Sequence, residues 1–263
     1  MKPFLKIIKY QLQDLIRGKW ILLYALLFFV LTDGLFRFGN DGSKVVLSLM
    51  NITLFIIPLV SIVFGSMFFY SSREFIELLL AQPIGRGSLY RGMYVGLATP
   101  LSLAFVAGVG IPFIYNTYHT GAFGGIFIIL LVSGVTLTFV FTALSYYISV
   151  KNEERVKGVG LTILIWLFFA VIYDGIVLAL IFMFSEYPLD KASIAVTLLN
   201  PIDLARIMML LMVDVSALLG YTGAVFKQFF GSPLGLVVAV SALIIWMIIP
   251  VWLGLRSFAK KDL

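Results

Sequence analysis

Residues 45–70 read VVLSLMNITLFIIPLVSIVFGSMFFY, twenty-six consecutive residues without a charge. As an α-helix this stretch rises about 39 Å at 1.5 Å per residue, enough to cross the roughly 30 Å hydrocarbon core of a bilayer. It therefore reads as a membrane span. Working outward from it, similar apolar runs lie at about 20–36, 92–115, 122–148, 159–184 and 233–255. Six spans predict an all-α integral membrane protein. Pro58, Pro100 and Pro112 fall inside spans, where neighbouring helices and water can satisfy the carbonyl that a proline frees. Small residues four apart (Ser61 and Gly65, Gly92 and Gly96, Ala104 and Gly108) would let helix backbones approach closely.

Composition agrees. Of 263 residues, 61% are hydrophobic and 12% charged, with a mean hydropathy of +1.07. Soluble domains carry about 45–50% apolar and about 25% charged residues. So few charges cannot coat a water-exposed surface. The absence of cysteine excludes disulfides, Fe–S clusters and thiolate metal sites. The first apolar run follows a long basic segment and lacks an Ala-x-Ala exit, so it is expected to be retained as a span rather than cleaved.

Charge sets orientation. Segments 1–19, 71–91, 149–158 and 256–263 hold five, three, three and three of the nineteen basic residues. The alternate segments keep Arg37, Lys44, Lys191, Arg206 and Lys227. Basic loops stay in the cytoplasm, so both termini are expected inside and segment 185–232 outside. The basic excess is thus a topology signal and not a nucleic-acid surface.

Three segments flank the spans. In 2–19, Phe4, Ile8, Leu12 and Leu15 recur at helical spacing opposite Lys2, Lys6, Lys9, Gln13 and Arg17. This predicts an amphipathic helix lying in the headgroup layer of the bilayer. Segment 71–91 reads SSREFIELLLAQPIGRGSLYR. A short amphipathic helix fits its start, Pro83 stops it, the Gly85–Gly87 stretch turns the chain, and Ser88 can cap the next helix. In the 48-residue segment 185–232, Asn200 is a good N-cap, Pro201 fits the first helical position, and Asp203 faces the positive helix end. Leu204, Ile207, Met208 and Leu211 form an apolar stripe, so this helix is expected to lie on the membrane or on the bundle. Gly220 to Gly223 should end it.

Catalytic chemistry is hard to find. His119 is the only histidine, and one His with no Cys cannot hold zinc. No GxxxxGK[ST] phosphate loop occurs, so the chain has no Walker motif for ATP. Asp174, after Tyr173, is the only carboxylate well inside a span. An aspartyl protease needs two carboxylates sharing a proton, and Asp33 sits at a span end. Asp174 is then a pairing or cavity-lining residue, or a solvated one near the outer interface. Met208, Met209 and Met212 could offer soft ligands to Cu(I), or act as apolar filler.

In this order the elements resemble an ABC-2 type transporter permease. IIKYQLQDLIRGKW, ending at Trp20, is similar to the family's N-terminal elbow helix, with Gln11 where a Glu is usual. REFIELLLAQPIGRGSLYRGMYVG, from Arg73, is similar to its coupling segment, matching at Arg73, Glu74, Leu79, Leu80, Pro83, Arg86 and Gly92. Met93 replaces the Lys that often follows that glycine. LNPIDLARI, ending at Ile207, resembles the NosY-type permeases that serve nitrous oxide reductase maturation.

The resemblance implies a non-enzymatic permease subunit of the bacterial inner membrane. It implies a homodimer served by a cytoplasmic ATPase that carries the ATP and Mg, and by a periplasmic maturation protein. Arg73, Glu74, Glu77, Pro83 and Arg86 would couple to the ATPase. Asn200, Pro201, Asp203 and Arg206 would meet the periplasmic partner. The task implied is assembly of a copper–sulfur centre, by moving a sulfur species or transmitting force. Two alternatives stay open: an exporter of a lipid, drug or polysaccharide, and a mechanical transmitter that moves no solute.

Overall fold

A computed structural model describes residues 7, 11, 19–39, 42–82, 84–117, 124–184, 190–212 and 228–260. Most of the expected interfacial helix, Pro83, His119 and the Gly220–Gly223 break lie outside them. All the regular elements described are helical. They are α1 (Trp20–Phe38), α2 (Gly42–Ser71), α3 (Arg73–Leu80), α4 (Arg86–Thr117), α5 (Gly124–Lys151) and α6 (Arg155–Leu167). A π-helical turn, Phe168–Ile172, joins α6 to α7 (Tyr173–Met183). Then come α8 (Asp190–Leu198), α9 (Pro201–Met212) and α10 (Pro233–Lys260).

Six helical stretches are long and apolar enough to cross a membrane: α1, α2, α4, α5, α6 with α7, and α10. Several run further than their apolar windows. Span three starts at Arg86 rather than near 92, span five at Arg155 rather than 159, and span six ends at Lys260 rather than 255. Helical hydrogen bonding does not stop where hydropathy does, and long cationic side chains can reach back to the interface. Lys151 lies over the Tyr147 ring and Arg256 over Trp252, at 5.0 and 5.6 Å. Because α4 starts early, Ser88 lies inside its first turn instead of capping it. The carbonyl of Gly85 accepts the Ser88 and Leu89 N–H groups in that place.

α5 is the hub. It packs against α2, α4, α6, α9 and α10, and Leu137, Val140, Phe141, Ala143 and Tyr146 on it are fully buried. A helix apolar all round belongs in a core. The small residues act as expected. A Cβ on Gly65 would lie 2.6 Å from the Ser145 hydroxyl, and one on Gly108 2.6 Å from the Ala25 carbonyl. These glycines set how closely α2 meets α5 and α1 meets α4. Gly92 and Gly96 receive Ile7 and Gln11 of the N-terminal segment.

The four basic segments share one end of the bundle. The Tyr70 hydroxyl donates to the Asn152 carbonyl at 2.9 Å, Arg86 reaches the C-terminal turn of α10, and Ile7 rests on Gly92. At the other end Phe36 of α1 meets Phe113 of α4 edge to face, and Phe113 stacks on Phe127 of α5. Span five is the least covered, with 6% of its apolar window buried against 67% for α4.

Candidate functional site

α8 and α9 meet at a bend of 114°. The bend follows from sequence: Pro201 cannot continue a helix from α8, and Asn200 starts a new one. The Asn200 Oδ1 accepts the Ile202 N–H at 3.0 Å, the expected cap. The depth of this corner was not expected. The Trp246 indole donates to the Leu198 carbonyl at 3.2 Å, and Trp246 lies midway along α10. The Asn200 amide donates to the Phe169 carbonyl at 3.0 Å, midway along span five. The pair is re-entrant, entering the bundle instead of resting on its outer surface.

Two breaks in regular helix satisfy each other here. Where α8 ends, its last carbonyls lose their intrahelical donors. Tyr173 donates its hydroxyl to the Val196 carbonyl at 2.6 Å and Trp246 serves Leu198. In span five the Tyr173 N–H reaches back to the Phe168 carbonyl, widening the turn, and Asn200 covers the neighbouring Phe169 oxygen. Unpaired carbonyls are costly in a bilayer, so this exchange holds corner and π turn together. π turns are frequent at functional sites.

A charged cluster completes the site. Arg206 Nη1 donates to Asp174 at 2.9 Å and to Asp203 at 2.8 Å, and Asn200 donates to the other Asp203 oxygen at 2.9 Å. Asp203 also sits in the first turn of α9, where the helix dipole favours a carboxylate. Asp174 is nine residues from the end of α7, roughly 13 Å into the span at 1.5 Å per residue. It is a pairing residue, as one reading of the sequence expected.

Asn200 is fully buried and Pro201 buried, so their side chains cannot be the partner contacts expected of them. Asp203 and Arg206 spend their charges within the chain. The apolar stripe of Leu204 and Ile207 packs with Phe230, Ala239 and Leu243, not on lipid. Met209 is buried in the main core and Met208 packs beside α10. Both act as apolar filler here, and the Met212 side chain lies outside the described residues.

At the basic end, α3 presents a divided surface. Ile76 is fully buried, and Leu79 and Leu80 pack against the core. Glu74, Glu77, Leu78 and Ala81 are exposed at helical spacing. Arg73 donates to the Glu153 carbonyl at 2.9 Å, just beyond α5, and Arg86 to the Ala259 carbonyl at 3.3 Å, in the last turn of α10. Cations suit helix C-termini, whose carbonyls are unpaired.

Sequence reasoning missed Trp246, the π turn and Gln11. Gln11 is buried with its side-chain amide against the carbonyls of Met93 (3.1 Å) and Gly92 (3.2 Å), and two acceptors there assign the NH2 group to that side. The only signal was that positions 11 and 93 both depart from the family's pattern. Nothing in the apolar run around Trp246 marked it as polar glue.

Six spans, a re-entrant pair before the last and an intramembrane ion cluster define a multi-pass helical membrane protein of the transporter kind. The profile of the ABC-2 family transporter proteins matches residues 5–263, and the chain belongs to that family. It is 28% identical to the probable ABC transporter permease protein NosY of Pseudomonas aeruginosa, over 93% of this chain and 91% of that protein. The corresponding protein of Stutzerimonas stutzeri is 27% identical, over 97% and 95%. This chain is therefore an ABC transporter permease, and such permeases work with a cytoplasmic ATPase subunit.

Proposed function

We propose that this permease supports assembly of the copper–sulfur centre of nitrous oxide reductase, as a homodimer in the bacterial cytoplasmic membrane. The observation that carries this reading is similarity to two NosY proteins over more than nine-tenths of the chain. LNPIDLARI, the stretch that resembles NosY-type permeases in the sequence, is the one that builds the re-entrant corner.

The basic end faces the cytoplasm, because basic segments are retained there, and both termini lie on that side. α3 is the coupling helix and seats on the ATPase. ATP and Mg stay on that subunit. Its closure displaces α3 and the spans it joins, and packed helices carry the displacement to the α8–α9 corner. Segment 185–232 meets a periplasmic maturation protein. ATP biases a two-state equilibrium through its preference for the closed ATPase.

A second copy of the chain covers span five. Asp174 and Arg206 keep 36% and 32% of their side chains exposed within one chain, at a depth where charges are not left to lipid. The two modes of action are transmission of force to the periplasmic partner and passage of a sulfur species between the two copies.

Deletion tests the proposal. Cells without this protein should make and export the reductase polypeptide yet leave its copper–sulfur site incomplete. They should accumulate nitrous oxide under denitrifying conditions, and added copper should not restore the centre. A fully loaded reductase with normal nitrous oxide consumption would overturn the maturation role and favour export of a lipid, drug or polysaccharide.

A further inference from the structure

The reading of α3 as the coupling helix assigned Arg73, Glu74, Glu77 and Arg86 together to the ATPase contact. Their geometry separates them. Arg73 and Arg86 turn back onto main-chain carbonyls of their own chain, at the ends of α5 and α10. Glu74 and Glu77 point outward with Leu78, which is 68% exposed. No ion pair among the described residues uses either glutamate. Residues 74, 77, 78 and 81 follow the i, i+3, i+4, i+7 rule, so they form one ridge: an apolar knob beside two carboxylates, ending on a small residue.

We propose that this ridge is the docking surface for the ATPase subunit, with Leu78 entering an apolar pocket rimmed by Lys or Arg, while Arg73 and Arg86 are positioning residues, the first tying the coupling helix to the end of α5 and the second tying the start of α4 to α10. The inference rests on α3 being the coupling helix and adds the chemistry of the groove it enters. Two observations select a basic protein pocket over the membrane surface. Cytoplasmic leaflets carry anionic lipid, which attracts cations and repels carboxylates. The surrounding end of the bundle carries Lys151, Arg155, Lys157, Arg256 and Lys260 beside Glu153 and Glu154, the latter paired with Lys157. Glu74 and Glu77, by contrast, enter no ion pair among the described residues, so the ridge offers two carboxylates to a partner of opposite charge.

The tethers have a separate consequence. α3 adjoins α2 in sequence and α4 just beyond it. Through Arg73 it also holds the turn between α5 and α6, and Arg86, at the start of α4, holds the end of α10. A push on Leu78 therefore reaches five of the six spans at their basic ends.

Binding of the purified ATPase subunit to the full-length permease in lipid nanodiscs tests this, compared at about 50 mM and about 500 mM salt to screen exposed charges. Leu78→Ser should weaken binding about tenfold at both salts, as loss of a central apolar anchor does. Glu74→Lys with Glu77→Lys should weaken it about tenfold at low salt and much less at high salt. Arg73→Gln should leave affinity within about twofold of wild type yet abolish the permease's effect on the ATP hydrolysis rate. All three change groups at the protein surface, and thermal unfolding of each variant verifies that it is folded.

Wild-type affinity in both the Leu78 and the double glutamate variants, with the ATPase still binding, would overturn the docking surface while sparing the coupling reading. An Arg73→Gln variant that loses binding, or that binds as wild type and keeps its effect on ATP hydrolysis, would overturn the division of roles. If the wild-type permease binds no ATPase, the coupling reading fails first, and this inference with it.

Discussion

Arg206 of the re-entrant helix α9 reaches Asp174 of span five at 2.9 Å, across thirty-two residues of sequence, and binds Asp203 at the same time. One cation thus serves two carboxylates inside the bundle. Removing one partner of a low-dielectric ion pair leaves a charge uncompensated, which costs more than the pair itself contributes. The three residues are therefore unequal.

Arg206→Gln should be the most damaging single change at this cluster, because it strands two carboxylates. Asp174→Asn should be milder, since Arg206 keeps Asp203. Combining the two should recover part of the loss caused by Arg206→Gln, with a coupling of about 1–3 kcal/mol for groups in one network. Thermal unfolding of the four proteins in detergent measures it. Strict additivity would show that the pair does not hold the corner.

The second prediction concerns the cap. Asn200→Ala removes the acceptor for the Ile202 N–H and the donor to the Phe169 carbonyl together. A lost N-cap alone costs about 0.5–2 kcal/mol, and an orphaned buried carbonyl about 1–3 kcal/mol more. Asn200→Ser can keep the cap but loses the donations to Phe169 and Asp203. Its melting temperature should fall between those of wild type and Asn200→Ala, and a value equal to wild type would remove the Phe169 and Asp203 bonds from the account.

The spans, their packing glycines and the grouping of basic segments were legible in the sequence, because each is local or periodic. The re-entrant corner was not. α8 and α9 are nine and twelve residues long and carry Asp190, Lys191, Asp203 and Arg206, so hydropathy places them outside the hydrocarbon core. What draws them inward are Asp174, Trp246 and the Phe169 carbonyl, all on distant segments. Asp174 and Arg206 each stood out singly, and only the fold pairs them. The inward turn of Arg73 and Arg86 was hidden for a related reason. Their acceptors are main-chain oxygens, which every residue has.

Gln11 supplies the third prediction. A glutamate is usual at this position in the family, yet here a buried amide donates to two carbonyls. Gln11→Glu would set a carboxylate against those oxygens and delete both donated bonds. A loss of about 1–3 kcal/mol is expected, as for buried groups left unsatisfied. It would appear as a lower melting temperature and weaker seating of the N-terminal segment on α4, read by protease sensitivity near residue 19. Unchanged protection would mean that Ile7 on Gly92 suffices to hold the segment.

The final prediction tests the proposed second copy, and the chain's lack of cysteine makes it direct. Span five exposes Leu164, Val171 and Leu178, at 58%, 50% and 57%. They are spaced seven apart on a helix whose neighbours Asp174 and Arg206 cannot be left to lipid. A disulfide forms only when the two Cα atoms come within about 4.4–6.8 Å, so cross-linking reports close approach and not mere proximity. Single cysteines at Val171 and Leu178, oxidised in native membranes, should give a covalent dimer. A cysteine at Leu236, exposed on α10, should not. Adding Asp174→Asn should reduce the Val171 cross-link if the ion cluster shapes the shared face. Dimers trapped through Leu236, with none through Val171 or Leu178, would move the interface to α10 and leave the cluster facing a partner other than a second copy.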